Sequence, residues 1–94
     1  MTHTTQDPEK RKLLARIRRI RGQLDAVERA LEEDASVAAL LQQITACRGA
    51  LDSLVAEVVE DHIRDHMIDP KASRDDPRSR AAEELVEIVH SFLT

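Results

Sequence analysis

The sequence predicts an all-α protein that works in copies, and three observations carry that expectation. Apolar residues recur at steps of three and four along two long stretches, the spacing of one side of a helix. Only one aromatic residue, Phe92, and two glycines occur among 94 residues, while Ala, Leu, Val, Glu and Arg dominate, which is the profile of long helices. A chain of this length leaves much of its surface in water, so self-association is the expected route to a sufficient core.

The first element follows from Leu13, Ile17, Ile20, Leu24, Val27 and Leu31, which alternate steps of four and three in a heptad stripe. Asp7 can cap this helix and Pro8 can occupy its first turn, while the pattern fades into Leu31-Glu32-Glu33-Asp34-Ala35-Ser36. Residues 7–33 are therefore predicted as the first helix, preceded by a flexible arm over residues 1–6. The second pattern runs through Val37, Leu40, Leu41, Ile44, Cys47, Leu51, Leu54, Val55, Val58, Val59 and Ile63, interrupted only by Gly49, and predicts a helix over residues 35–67. At 1.5 Å per residue such a helix is about 45–50 Å long, far more than a compact monomer needs, and so it is expected to project into a bundle with another copy. Residues 69–79 hold two prolines and mixed charges and read as a loop, followed by a short amphipathic helix over residues 80–93 with Ala82, Leu85, Val86, Val89 and Phe92 on one side. The whole reads as a single domain.

Charge divides the chain unevenly. The formal net charge is −4, yet Lys10, Arg11, Lys12, Arg16, Arg18, Arg19 and Arg21 form a run with no acid, and removing it leaves −11. On a helical wheel Lys12, Arg16 and Arg19 fall on one flank of the apolar stripe, and Arg11, Arg18 and Arg21 fall on the other flank or the back. A partner helix can bury the stripe while both flanks stay wet. Phosphate oxygens suit such a surface, because each Lys or Arg that neutralises one releases condensed counterions. No aromatic residue interleaves with these charges, which favours double-stranded DNA over a single strand. A solvated face balanced by Asp25 and Glu28, or an acidic protein or membrane surface, are the competing readings.

Other classes are disfavoured. No nucleophile elbow, phosphate-binding glycine loop or H-E-x-x-H pattern is present, so the chain is expected not to be an enzyme. No apolar stretch approaches the roughly 20 residues of a membrane span, the N-terminus lacks the apolar core of a signal peptide, and a single cysteine suits a reducing compartment, so a cytoplasmic location is expected.

Histidine supplies the candidate metal site. His62 and His66 stand four apart near the end of the second helix, so their rings lie one turn apart on one face and can share a metal ion. The bland reading is a surface pair favoured by the helix dipole. His3, with the amine left if the initiator Met is removed, forms a second nitrogen-rich end, and Asp61, Asp65 or Glu60 offer a carboxylate. Cys47 lies in step with Ile44, Leu51, Leu54 and Val58 and reads as a buried small hydrophobe, with a thiol sensor or ligand as the minority reading. His90 reads as a packing or surface residue.

Three stretches together, RIRRIRGQLDAVERALEED, LLQQITACRGALDSLVAEVVEDHI and the terminal LVEIVHSFL, make the chain resemble the CsoR/RcnR/FrmR family of bacterial repressors over nearly its whole length. The resemblance implies an antiparallel four-helix-bundle dimer, commonly paired into a dimer-of-dimers tetramer, without a helix-turn-helix. It also implies an apo form that binds an operator and lets go when an inducer binds. By matching positions it makes Arg16, Arg19 and Arg48 the foremost DNA contacts, with Lys12, Arg18 and Arg21 as electrostatic support. Within the family the chain is most similar to the nickel/cobalt branch, matching its ligands at His3, His62 and His66, but Val37 occupies the usual cysteine position. That departure weakens Cu(I), persulfide and formaldehyde readings, which rely on the same cysteine. Cys47 lies ten residues on, about 15 Å and about 80° away along one helix, and cannot take the same coordination position. The expected function is therefore a repressor released by Ni(II), Co(II) or Zn(II). Its rivals are a repressor that senses formaldehyde or another electrophile through Cys47 or the N-terminal amine, and an interaction paralogue that has lost sensing.

Overall fold

The computed structural model describes residues 7–94, which form three helices: α1 (Pro8–Glu32), α2 (Val37–Met67) and α3 (Pro77–Leu93). His3 lies outside the described residues. No strand occurs among them, in agreement with the all-α expectation.

Local chemistry sets each helix end. The Asp7 carboxylate accepts from the Glu9 N–H at 2.9 Å, and Pro8 fills the first turn, where a missing N–H costs nothing. At the other end the Ala35 N–H reaches the Ala30 carbonyl at 2.9 Å, a closure that requires a left-handed residue, and Asp34 takes that role with φ 57°. Ser36 then opens α2, its Oγ accepting from the Ala39 N–H at 3.1 Å, so the helix begins two residues after the position expected from sequence. Residues 68–76 form two tight turns in which Asp69 accepts from the Lys71 N–H and Ser73 Oγ from the Asp75 N–H.

α3 starts three residues earlier than the sequence pattern suggested. The reason is that Asp76-Pro77 repeats the device of Asp7-Pro8: the Asp76 carboxylate accepts from the Arg78 N–H at 3.1 Å, and the proline that read as a loop residue is the first helical residue.

The described residues divide into two compact units, with the boundary inside α2 between Leu54 and Val55. In the first, Ile20 of α1 and Cys47 of α2 are buried. The heptad stripe of α1 is only partly used there: Leu13 and Val27 are half-buried, whereas Ile17, Leu24 and Leu31 are exposed. In the second, Ile63 of α2 packs with Ala82 and Val86 of α3, and Val59, Ile68 and Val89 close around them. No large side chain is completely enclosed in either unit among the described residues.

Long apolar faces remain in water. On α2, Val37, Leu41, Ile44 and Leu51 are exposed in the first unit, and Val55 and Val58 in the second. These positions keep the three-and-four spacing of one helix face, so half of the second apolar pattern serves something other than the folding of a single chain. A second face, on α3, comprises Leu85, Ile88 and Phe92, the last 84% exposed.

Candidate functional site

The basic segment lies on the first four turns of α1 and remains accessible. Arg11, Lys12, Arg18, Arg19 and Arg21 are exposed, whereas Arg16 is half-buried. Lys10, Lys12 and Arg16 interact with other groups of the chain. Arg11, Arg18, Arg19 and Arg21 make no ion pair among the described residues, so their guanidinium groups are available to an external anion. The helix leaves them so because its buried positions, led by Ile20, occupy a separate arc of the wheel.

Arg48 stands apart from this set. It is exposed on α2, directly after the buried Cys47, and in step with the exposed Leu41, Ile44 and Leu51. Its guanidinium therefore emerges from the apolar face of α2, where its methylene stem can lie along neighbouring side chains.

The histidine pair is the other candidate. His62 and His66 project from successive turns near the end of α2, with ring centroids 4.4 Å apart and the planes inclined at 75°. Both are exposed, on the face that carries Val55 and Val58. Two imidazoles at this separation offer nitrogen donors of the kind that borderline divalent metals accept, so the pair fits half of a metal site. Zinc normally takes four ligands and a pair of imidazoles supplies only two donors to any such ion, and no group of three or more His, Cys, Asp or Glu poised to hold a metal occurs among the described residues. Cys47 is 4% exposed, the burial expected of it, although Ile44, Leu51 and Val58, read as sharing its face, are exposed.

Sequence reasoning missed the polar ties of the second unit. Glu60 Oε1 accepts from His90 Nδ1 at 3.0 Å, and Arg64 Nη2 lies 3.7 Å from Glu83 Oε2, joining α2 to α3 along one flank of the Ile63 core. Pairs thirty and nineteen residues apart leave no periodic signal in a single sequence.

A family profile described as metal-sensitive transcriptional repressor matches residues 9–91, nearly the whole chain. The chain belongs to this family. Its members are transcriptional repressors and not enzymes. Among relatives, the repressor family member is 44% identical over 93 residues to a Serratia marcescens protein known as an uncharacterized protein in the bioA 5′ region, with 99% of each chain covered. It is 37% identical over 93 residues to the transcriptional repressor RcnR of Citrobacter koseri, again covering 99% of each. Among solved structures, a glutamate-to-histidine variant of the formaldehyde-responsive regulator FrmR from Salmonella enterica serovar Typhimurium is similar at a TM-score of 0.64 and 35% identity, covering 99% of this chain and 100% of that one. No helix among the described residues is long and apolar enough to cross a membrane.

Proposed function

We propose that this repressor binds double-stranded operator DNA as an oligomer of identical copies and releases it when a divalent metal, Ni(II), Co(II) or Zn(II), is captured at His62 and His66. The observation that carries the reading is the histidine pair itself: two exposed rings 4.4 Å apart on a face that also presents Val55 and Val58. That face must be covered by a second copy if its apolar residues are to leave water, and a two-fold arrangement brings additional donors to each pair. His3 and the N-terminal amine are the donors we assign to complete the set, with Asp61 or Asp65 as an oxygen ligand, whereas Glu60 is turned to His90 of α3. An antiparallel four-helix-bundle dimer uses the exposed faces of α1 and α2, and pairing of dimers into a tetramer uses the separate face of Leu85, Ile88 and Phe92.

DNA contact falls to the α1 cations. Arg18, Arg19 and Arg21 are exposed and unpaired among the described residues, and Lys12, Arg16 and Arg48 complete the basic set. The switch is a linkage: metal favours an oligomer in which the α2 ends are drawn together, and that arrangement presents the basic flanks less well to DNA. Such a coupling typically amounts to about 1–3 kcal/mol, or 5–150-fold in operator affinity.

Operator affinity measured with and without Ni(II), Co(II), Zn(II) and Cu(I) tests this reading. Wild type is expected to weaken with Ni(II), Co(II) or Zn(II), and His62→Ala to keep its apo affinity but lose the response. No change with any of the metals would overturn the metal reading.

A formaldehyde or electrophile response is the second reading, favoured by the similarity to a formaldehyde-responsive regulator. The burial of Cys47 points such chemistry to the N-terminal amine. It predicts a covalent mass increase with loss of operator binding on exposure to formaldehyde, and an unchanged mass would remove it.

A further inference from the structure

The last turns of α2 present two opposed faces. His62 and His66 look outward, whereas Glu60 and Arg64 lie roughly 160° away round the helix, given about 100° per residue, and meet α3. The apolar packing of Ile63 with Ala82 and Val86 holds the two helices together but is non-directional, and it tolerates small rotations and slides. Hydrogen bonds do not, since they weaken steeply as distance and angle depart from optimum. The azimuth of α3 relative to the histidine-bearing end of α2 is thus set by one directional tie, the Glu60–His90 hydrogen bond, beside the looser ion pair of Arg64 with Glu83.

The Glu60–His90 tie is the tighter of the two. Its carboxylate side chain is only 16% exposed, its length is 3.0 Å, and a carboxylate can only accept, so His90 Nδ1 carries the proton. The Arg64–Glu83 pair is 3.7 Å long with both side chains about half exposed. A cleft lined by Glu60, Arg64, Val86, Glu87, His90 and Ser91 flanks the first tie, so the imidazole is not clamped by packing on all sides and can follow or release its partner.

We propose that His90 is a positioning residue of the switch: through Glu60 it makes α3 follow the end of α2 when His62 and His66 take up the inducer. α3 is worth moving because its opposite face carries the exposed Leu85, Ile88 and Phe92, which an oligomer would cover. A change at the histidines is then delivered to a contact between copies without any ligand touching α3. This inference rests on the metal reading given above.

The test compares wild type, His90→Ala and His90→Asn, the last because its amide N–H can replace Nδ1–H. Three quantities are measured on the full chain: Ni(II) affinity without DNA, operator affinity of the apo protein, and operator affinity at saturating Ni(II). Hydrogen exchange of the amides of residues 83–90 with and without Ni(II) is followed as well. His90→Ala is expected to keep the first two within about twofold of wild type, yet to reduce the Ni(II)-driven weakening of DNA binding by about threefold or more. It should also lose the Ni(II)-dependent change in α3 exchange, and His90→Asn should recover both. An undiminished Ni(II) effect in His90→Ala, or a matching loss of Ni(II) affinity, overturns the positioning role while leaving the metal reading intact. Absence of any Ni(II) effect on wild-type operator binding overturns both.

Discussion

Leu51→Glu tests the assertion that the outer face of α2 is built for another copy. Leu51 is 46% exposed, in the middle of a helix whose neighbours on that face, Ile44 and Val55, are 49% and 48% exposed. Burying a leucine completely is worth about 1.5–3 kcal/mol, so covering the half that remains in water contributes on the order of 1 kcal/mol per copy. A symmetric pair makes the contact twice, and glutamate both forfeits it and places an unpaired carboxylate in the interface, at a cost of several kcal/mol. The combined penalty of at least ~3 kcal/mol corresponds to a dissociation constant raised ~100-fold or more. Sedimentation velocity over a concentration series reads this directly, and far-UV circular dichroism checks that the isolated chain keeps its helices, as expected for a position already half in water. Retention of the wild-type oligomer at all concentrations would refute the argument that this face is an interface.

Three further outcomes follow from individual residues. Asp34→Gly should raise stability by about 0.5–1 kcal/mol in thermal or denaturant unfolding, because Asp34 holds a left-handed φ of 57° that glycine adopts without a Cβ penalty. Ile63→Ala, at a side chain 3% exposed beneath Ala82 and Val86, should cost about 2–5 kcal/mol and expose α3 to early hydrogen exchange. Arg19→Ala should weaken operator binding across sequences alike and lower the slope of log affinity against log salt by about 1, and an unaltered slope would place Arg19 off the phosphate backbone.

The helices were legible because each is announced twice, by periodicity and by its ends. Asp7-Pro8 was read correctly as a start, and the same pair at Asp76-Pro77 was not, because the surrounding Lys71, Arg74, Asp75 and Arg78 made the stretch look like a charged loop. Proline is a breaker or an initiator according to what caps it, and the cap is visible only as a hydrogen bond, here Asp76 to the Arg78 N–H. Among the site residues, Cys47 is buried as expected, yet Ile44, Leu51 and Val58, with which it is in step, are exposed, so phase marks the apolar side of α2 but not which of its residues a single chain covers. The Glu60–His90 contact depends on how α3 docks, which no local pattern records.

Phase also explains why the proposed DNA surface is easier to read than the proposed switch. A cation acts on phosphate from a single helix surface, so seven positive charges on α1 carry their meaning within one segment. A metal needs several donors converging on one point, and α2 alone supplies two, His62 and His66. The pair faces outward beside Val55 and Val58, so on the proposed reading its remaining donors come from whatever covers that face. Val37, itself 71% exposed at the start of α2, contributes apolar surface and no donor, whichever chain it meets. The proposed ligand set is therefore nitrogen- and oxygen-rich, which favours the borderline ions Ni(II), Co(II) and Zn(II) over Cu(I) in the metal panel.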